Sequence, residues 1–287
     1  MRSGPRSVIP IPPISTSCSK KSSASHRTNI SAYHLFKELE PLQPLNRTAG
    51  NEPEIQVYDT TELYGEKGRF RVLQFSGDAI QGALDLDRPR RVVFEYPRAM
   101  IHLMEAGEPF FEDVFVIGHG IGTIAGYFAE KRFKTAEVNA EVVRLSRQHF
   151  GCSQDNIIVG DGRSILEGEP DSRYDYILLD AFTADGTPRH LISSEFFALA
   201  RSKLNSRGSL IMNLMGRSEK DRLICAIHTT LSGSFPYIKA FALPSEGTAD
   251  IRNIIIMGSG RPIRCQARQL AGFVEIALEQ GHVIRDQ

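Results

Sequence analysis

The sequence has no tryptophan, few cysteines and no excess of charge of either sign. Its 4 cysteines are far apart and lack both the CxxC spacing and the Cys/His spacing of a metal site, which argues against a bound metal. The 34 Lys and Arg residues balance 34 Asp and Glu residues, so no basic surplus predicts a nucleic acid or a membrane surface as partner. No apolar run approaches the roughly 18 residues that a transmembrane helix needs. These absences predict a soluble, cytoplasmic protein with reduced cysteines.

The first 53 residues differ in composition from the rest of the chain. They contain no acidic residue before Glu38 and include a run rich in serine and threonine. Such a segment buries too little apolar area to offset its loss of entropy on ordering, so we predict a disordered extension over residues 1–53. A basic, serine-rich and acid-poor start is also typical of an organelle transit peptide, so targeting by residues 1–36 stays an alternative.

Residues 54–104 are predicted to form a small antiparallel β-domain followed by a linking helix. Strand-like runs occur at Ile55–Tyr58, Phe70–Phe75 and Val92–Phe94, with glycines and charged turns between them. From Tyr96 onwards the apolar residues recur at helical spacing.

Residues 105–287 alternate apolar strands with helices, which predicts an α/β domain with a mainly parallel sheet covered on both faces. A last helix is predicted near Gln266–Gln280. Seven runs are strand-like: Val114–Ile117, Thr135–Val138, Asn156–Val159, Tyr176–Leu179, Ser209–Leu214, Ile238–Leu243 and Ile251–Met257. In such sheets ligands bind beyond the carboxyl ends of the strands, so the residue after each strand becomes a candidate.

The first of these strands ends in a glycine-rich turn. Gly118, Gly120 and Gly122 form a GxGxG pattern, which lets the backbone turn tightly and lets a ligand lie close to it. Thr123 stands where a dinucleotide fingerprint has its third glycine, so a nucleoside without a pyrophosphate is favoured over a dehydrogenase cofactor. The alternative is a turn that only packs.

Acidic residues lie at or just after the ends of the next three strands. Glu137 can accept hydrogen bonds from both hydroxyls of a ribose. Asp161 can accept from the amine of an adenine for which Gly162 leaves room, or it can simply cap the following helix. Asp180 comes directly after apolar residues, and burial of a carboxylate is costly without partners, so a functional role is favoured. Because all three acids reach one edge of the sheet, we predict a nucleoside site there.

The segments VFVIGHGIGT, AEVNAEVV, IIVGDGRSIL and YDYILLDAF, in this order, resemble the spermidine synthase (polyamine aminopropyltransferase) family. The segment DAFTADGTPRHLISSEFF from Asp180 to Phe197 is the most similar piece. The resemblance implies a Rossmann-like, class I methyltransferase fold with a seven-stranded sheet, preceded by a small β-domain. It covers about residues 55–259.

Position by position, the resemblance also implies roles for single residues. Gln81 would contact the donor nucleoside, Glu137 would hold the ribose, and Asp161 with Gly162 would receive the adenine. Asp180 matches the catalytic aspartate of the family, which helps to deprotonate the attacking amine. Tyr96 matches a tyrosine that lines the cavity where donor and acceptor meet.

The chain departs from the family at four places. Ile121 replaces an aspartate that recognises the ammonium group of the donor, and Asn139 replaces a second acid on the ribose side. Thr183 replaces an acid after the catalytic aspartate, although Asp185 lies close by and is a candidate for the acceptor pocket. The loop at residues 243–247 lacks the tyrosine of the family. The nucleoside half of the site is therefore predicted to be intact, whereas the diamine half is not.

Two reactions fit these features. The first transfers an aminopropyl-type group from decarboxylated S-adenosylmethionine to a small amine, with Asp180 as general base. The second is methyl or other alkyl transfer from intact S-adenosylmethionine on the same scaffold, because Ile121 removes a charge that would repel the carboxylate of that donor. A catalytically silent nucleoside-binding protein is a third reading. The donor would be a co-substrate without a metal, and the resemblance suggests a homodimer through the β-domain.

Overall fold

The computed structural model describes residues 45–47, 54–75, 80–183, 186–217, 220–244 and 250–286. Nearly all of the extension predicted for residues 1–53 lies outside these ranges, as does Asp185. What was predicted for those residues therefore stays a prediction.

A small antiparallel sheet of four strands precedes the main domain, in the order β1-β2-β3-β4. Its strands are β1 Asn46–Arg47, β2 Ile55–Leu63, β3 Glu66–Phe75 and β4 Ile80–Asp85. Val57 and Leu73 lie directly opposite each other and are both fully buried, so one face of the sheet is apolar as the alternation in the sequence predicts. The predicted antiparallel β-unit is confirmed.

The third predicted strand of this unit was wrong. Val92–Phe94 does not form a strand, because helix α1 (Glu95–Gly107) begins directly after it and leaves Val92 with only an isolated bridge to Leu84. The strand lies at β4 instead. Its interior holds Gly82, where a Cβ atom would lie 2.7 Å from the side chain of Ile121, so close packing requires a residue of low strand propensity.

The main sheet has eight strands in the order β12-β10-β11-β9-β8-β5-β6-β7. They are β5 Asp113–Ile117, β6 Arg132–Glu137, β7 Ile157–Val159, β8 Tyr174–Leu179, β9 Leu204–Gly216, β10 Tyr237–Ala242, β11 Arg252–Ser259 and β12 Val274–Ile276. The neighbours from β7 to β9 are parallel, whereas β11 is antiparallel to both β9 and β10. The mainly parallel sheet is confirmed, with one more strand than the seven predicted.

Helices cover both faces of this sheet. Besides α1 they are α2 Thr123–Tyr127, α3 Ala140–His149, α4 Gly162–Glu167, α5 Ser194–Lys203 and α6 Arg222–Leu231. Strand β8 shows why its sequence is apolar throughout. Ile177 and Leu179 belong to the apolar cluster under α5 and α6, whereas Tyr176 and Leu178 belong to the cluster under α1 and α2.

The last helix predicted for Gln266–Gln280 was also wrong. Ala271 and Gly272 adopt left-handed conformations, with φ of 51° and 96°, which interrupts a helix. The chain then forms β12, where Ile276 pairs with Ala240 at the edge of the sheet. Pairing with this open edge outweighs the helical propensity of the segment.

Within the ranges that the structure describes, no helix is both long and apolar enough to span a bilayer. The domain boundaries at residues 53 and 104 stay a prediction. Helix α1 packs in the same apolar cluster as β5 and β8, so the connection between the two sheets is part of the main core.

Candidate active site

Strands β5, β6 and β8 are parallel neighbours, so the segments that follow them meet at one edge of the sheet. The backbone N–H of Gly118 donates to the carbonyl of Ala136 at 2.9 Å, and the N–H of Asp180 donates to the carbonyl of Ile117 at 2.9 Å. The glycine turn therefore lies between Glu137 and Asp180. The carboxylate of Glu137 is close enough to Asp180 to raise the pKa of the latter.

The glycine turn requires its glycines. Gly118, Gly120 and Gly122 have φ of 98°, 53° and 80°, in the left-handed region that other residues avoid. A Cβ atom on Gly118 would lie only 2.0 Å from the backbone oxygen of Asp180. The turn is thus pressed against β8, and the sequence pattern reflects both the conformation and this close approach.

Glu137 is oriented by two backbone amides. It is buried, and its Oε2 and Oε1 atoms accept from the N–H groups of His119 at 2.8 Å and Asn139 at 2.9 Å. The side chain of Asn139 accepts from the N–H of Glu141 and caps α3, so this residue has a structural task of its own. Each oxygen of Glu137 retains a lone pair for a further donor.

The ring of His119 lies buried behind the glycine turn. Its Nε2 atom is 2.8 Å from Oγ of Ser146 on α3 and 3.7 Å from Sγ of Cys152. Burial, together with the charge of Arg147, lowers the pKa of His119 to about 4. The neutral ring therefore ties the turn to α3, a role that the sequence did not reveal.

The low pKa of His119 predicts a loss of stability in acid. Between about pH 6.5, the ordinary pKa of histidine, and pH 4, the unfolded chain binds a proton that the folded chain does not, so stability falls as the pH falls through this window. One such group changes the free energy of unfolding by at most about 1.4 kcal/mol per pH unit. Urea unfolding at several pH values should therefore show a shallower pH dependence for His119→Gln than for the wild type. If the stability of the two proteins depended equally on pH, the lowered pKa of His119 would be contradicted.

Asp161 caps helix α4 just after the end of strand β7. Its Oδ1 accepts from the N–H of Ser164 at the start of α4, and its Oδ2 is 2.8 Å from Nε2 of His190. Burial raises the pKa of Asp161, but the hydrogen bonds from Ser164 and His190 outweigh it, so the pKa is lowered. A Cβ atom on Gly162 would lie 2.4 Å from Ile117, which explains the glycine at this place by packing alone.

Asp180 lies at the centre of a small polar cluster. Its Oδ1 accepts from Nδ2 of Asn213 at 2.8 Å, and its carboxylate also shares a hydrogen bond with the hydroxyl of Tyr96. Burial and the charge of Glu137 raise the pKa of Asp180, while the hydrogen bonds of Asn213 and Tyr96 lower it; the net effect is a raised pKa. Burial and the Asp180 charge raise the pKa of Tyr96 well above its ordinary value. The catalytic candidate and the cavity-lining candidate that the resemblance implied are thus in contact.

Sequence reasoning missed the asparagines behind Asp180. Asn213 lies within the apolar strand β9, and its Oδ1 accepts from Nδ2 of Asn253 on β11 at 2.9 Å. An amide in the middle of a buried strand is a signal that could have been used, because a buried polar group must find a partner. Val138 was missed as well. It directly follows Glu137 and is 77% exposed, which leaves an apolar surface beside the ribose candidate.

Ile121 packs rather than faces an open pocket. It is 9% exposed and contacts an apolar cluster formed by the small sheet and α3, which includes Ile55, Leu73 and Val142. In this chain the position where the family carries an aspartate therefore lies in the apolar contact between the small sheet and helix α3. The loss of the acid is a packing change as well as a charge change.

A charged residue at this position should be costly. Ile121→Asp buries a carboxylate without a described partner and is expected to lower the free energy of unfolding by about 3 kcal/mol or more. Ile121→Val removes one methyl group and should cost about 1 kcal/mol. Urea unfolding of both variants measures the difference. If Ile121→Asp were as stable as Ile121→Val, the side chain at this position would be solvated, and its assignment to the packed cluster would be wrong.

The remaining candidates take different positions. Gln81 lies on β4 with its backbone carbonyl beside the glycine turn, 3.3 Å from the position of a Cβ atom on Gly120. Thr183 and Gly186 exchange backbone hydrogen bonds at 2.9 and 3.1 Å, so these two residues lie side by side after Asp180. Among the residues with described positions, no group of three or more His, Cys, Asp or Glu side chains could hold a metal ion.

Comparison with known proteins points to one family. No family profile matches the chain. The polyamine aminopropyltransferase of Neisseria meningitidis serogroup A is 24% identical over 229 residues, which cover 77% of this chain and 80% of that protein. The polyamine aminopropyltransferase of Vibrio vulnificus is 27% identical over 224 residues, which cover 73% of each.

Solved structures show the same fold. A probable spermidine synthase from Corynebacterium glutamicum matches with a TM-score of 0.66 at 24% identity, over 75% of this chain and 80% of that chain. A spermidine synthase in complex with the transition state analogue AdoDATO matches with a TM-score of 0.60 at 15% identity, over 80% and 85%. Human methyltransferase-like protein 13 in complex with SAH matches with a TM-score of 0.51 at 20% identity, over 62% and 90%.

The chain thus has a methyltransferase-like α/β fold preceded by a small antiparallel sheet, as predicted. The resemblance to the spermidine synthase family is confirmed by curated relatives that carry this name or that of polyamine aminopropyltransferase. These relatives are transferases, which confirms the enzyme class that the sequence predicted.

Proposed function

We propose that this chain transfers an aminopropyl-type alkyl group from decarboxylated S-adenosylmethionine to a small amine, with Asp180 as the general base. The observation that carries the proposal is the position of Asp180. This carboxylate is partly buried, contacts Tyr96 and lies across the glycine turn from Glu137. The names of the curated relatives support the same reaction type.

The nucleoside half of the donor would lie along the edge formed by β5, β6 and β7. Glu137 has both oxygens fixed by backbone amides and can accept from the two ribose hydroxyls. The exposed side chain of Val138 offers an apolar surface for the purine. Asp161 can accept from the exocyclic amine, and Gln81 lies on the other side of the turn.

The chemical step needs an unprotonated amine. An alkylamine has a pKa near 10 by analogy with lysine, so its proton must be taken up as the reaction proceeds. The amine nitrogen attacks the carbon next to the sulfonium, the carbon–sulfur bond breaks, and its electron pair stays on the sulfur, which leaves a neutral thioether nucleoside. Asp180 would accept the proton of the amine. Burial and the charge of Glu137 raise the pKa of Asp180, which makes it a better base than an exposed aspartate.

The tail of the donor is the point at which the site differs from the family pattern. Position 121 holds an isoleucine that packs between the small sheet and helix α3, so it offers no carboxylate to an ammonium group. Methyl transfer from intact S-adenosylmethionine is therefore kept as an outcome of the test, although the curated relatives do not favour it.

Calorimetry on the purified chain with the decarboxylated and the carboxylated donor tests the proposal. We expect tighter binding of the decarboxylated donor, and with diamines of three to five carbons we expect methylthioadenosine and an alkylated amine by mass spectrometry. A preference for the carboxylated donor together with S-adenosylhomocysteine as product would replace aminopropyl transfer by methyl transfer. If neither donor binds, the nucleoside site itself is refuted.

A further inference from the structure

Behind Asp180 a line of hydrogen bonds crosses two strands of the main sheet. Nδ2 of Asn213 donates to Oδ1 of Asp180 at 2.8 Å, and Oδ1 of Asn213 accepts from Nδ2 of Asn253 at 2.9 Å. The same Nδ2 of Asn253 lies 3.4 Å from Sδ of Met215. Asn213 is 1% exposed, so its amide cannot exchange these partners for bulk water.

The chemistry of these partners gives the line a direction. A thioether sulfur has no hydrogen and can only accept, so the contact with Met215 favours the orientation of the Asn253 amide in which its NH₂ group faces Met215 and Asn213. Asn213 must then present its carbonyl oxygen to Asn253 and its NH₂ group to Asp180. The last link is therefore a donor that favours a carboxylate and not a carboxylic acid.

We propose that Asn213 and Asn253 are positioning residues, which hold Asp180 as an oriented, ionised hydrogen-bond acceptor at this site. The catalytic meaning of this assignment rests on the function proposed above, whereas the hydrogen-bond chain itself does not. Neither asparagine would touch a substrate. Their effect passes through Asp180.

The groups around Asp180 differ in whether they favour its ionised form. On α1 the hydroxyl of Tyr96 shares a hydrogen bond with Asp180, and at the end of β6 the carboxylate of Glu137 faces it with a like charge. Burial and Glu137 oppose ionisation of Asp180, while Tyr96 and Asn213 favour it. Without the asparagines, Tyr96 would be the one residue, among those with described positions, whose side chain still hydrogen-bonds to Asp180.

The variant that tests the proposal lies one step away from the base. Asn253→Leu keeps the size of the side chain and leaves Asp180, Tyr96 and Asn213 in place, but it removes the group that orients Asn213. We expect the midpoint of the Asp180 titration, followed by carbon-13 NMR of labelled aspartate carboxyls in the full chain, to rise by about one pH unit. The resonance is assigned by its loss in Asp180→Asn.

A matched control is present on the same two strands. Ser209 on β9 and Ser259 on β11 lie opposite each other, are buried, and share a hydrogen bond of 2.9 Å at the far end of the strands. Ser209→Ala also breaks a buried polar contact between β9 and β11, but it should leave the Asp180 midpoint unchanged. Thermal unfolding of both variants separates a general loss of stability from the specific effect.

The two proposals fail in different ways. If a folded Asn253→Leu protein shows the wild-type midpoint, or if Ser209→Ala raises it equally, the positioning role is overturned even when the wild type is active. If the midpoint rises but the wild type forms no methylthioadenosine from decarboxylated S-adenosylmethionine and diamines, the proposed reaction fails and the hydrogen-bond chain stands. Where both hold, the acidic limb of the pH–rate profile should move upwards with the NMR midpoint.

Discussion

Asp180→Asn is expected to bind the donor within a few-fold of the wild type and to lose turnover by about 10²-fold or more. The amide oxygen of an asparagine can still accept from Nδ2 of Asn213, and its NH₂ group can donate to the hydroxyl oxygen of Tyr96, so the cluster keeps its shape. What the variant cannot do is take up a proton from the amine. Calorimetry measures donor binding, and the rate of methylthioadenosine formation measures turnover.

Asp175→Asn provides the matched control, because Asp175 lies near the opposite end of the same strand. It accepts from the backbone N–H groups of Glu112 and Asp113 at 2.8 and 3.0 Å, far from the carboxyl edge. This control should lose some stability and keep its turnover. Asp180 would be removed from the mechanism if Asp180→Asn and Asp175→Asn had equal rates.

Glu137→Gln should have the second large effect, and on binding rather than on chemistry. The carboxylate accepts from two backbone N–H groups, of His119 and Asn139, and a glutamine can satisfy only one of them while its NH₂ group opposes the other. The ribose hydroxyls lose an acceptor at the same time. We expect the dissociation constant of the donor to rise by about 10- to 100-fold, which corresponds to roughly 1–3 kcal/mol.

Asn139→Ala separates this effect from damage to α3. Its side chain caps the helix through the N–H of Glu141, so its loss should cost about 1 kcal/mol of stability and leave the dissociation constant within about twofold. Donor titrations and urea unfolding on both variants give the comparison. A stronger loss of binding in Asn139→Ala than in Glu137→Gln would move the ribose contact from one residue to the other.

The order of strands and helices in the main domain could be predicted from the sequence because central parallel strands such as β5 and β8 are buried on both faces. The apolar run Tyr176–Leu179 and the acid that follows it are visible without coordinates. The glycine turn and Glu137 were found in the same way. The structure places Glu137, the glycine turn and Asp180 at one edge of the sheet, while their roles stay proposals.

The elements that were missed depend on contacts between distant segments. Strand β4 carries Gly82 because Ile121 lies against it, and β12 forms because β10 offers an open edge. The propensity of the local sequence predicts neither of these two contacts. Asn213 was missed for a similar reason, since its partners Asp180 and Asn253 lie 33 and 40 positions away along the chain.

The packing of Ile121 means that charge and architecture cannot be varied separately at this position. Its side chain fills the space between Gly82 on the small sheet and helix α3 of the main domain. A substitution that introduces an acid here must therefore be accompanied by changes in these neighbours, which fit a branched hydrocarbon. Redesign of this corner of the site is thus also redesign of the contact between the small sheet and the main domain.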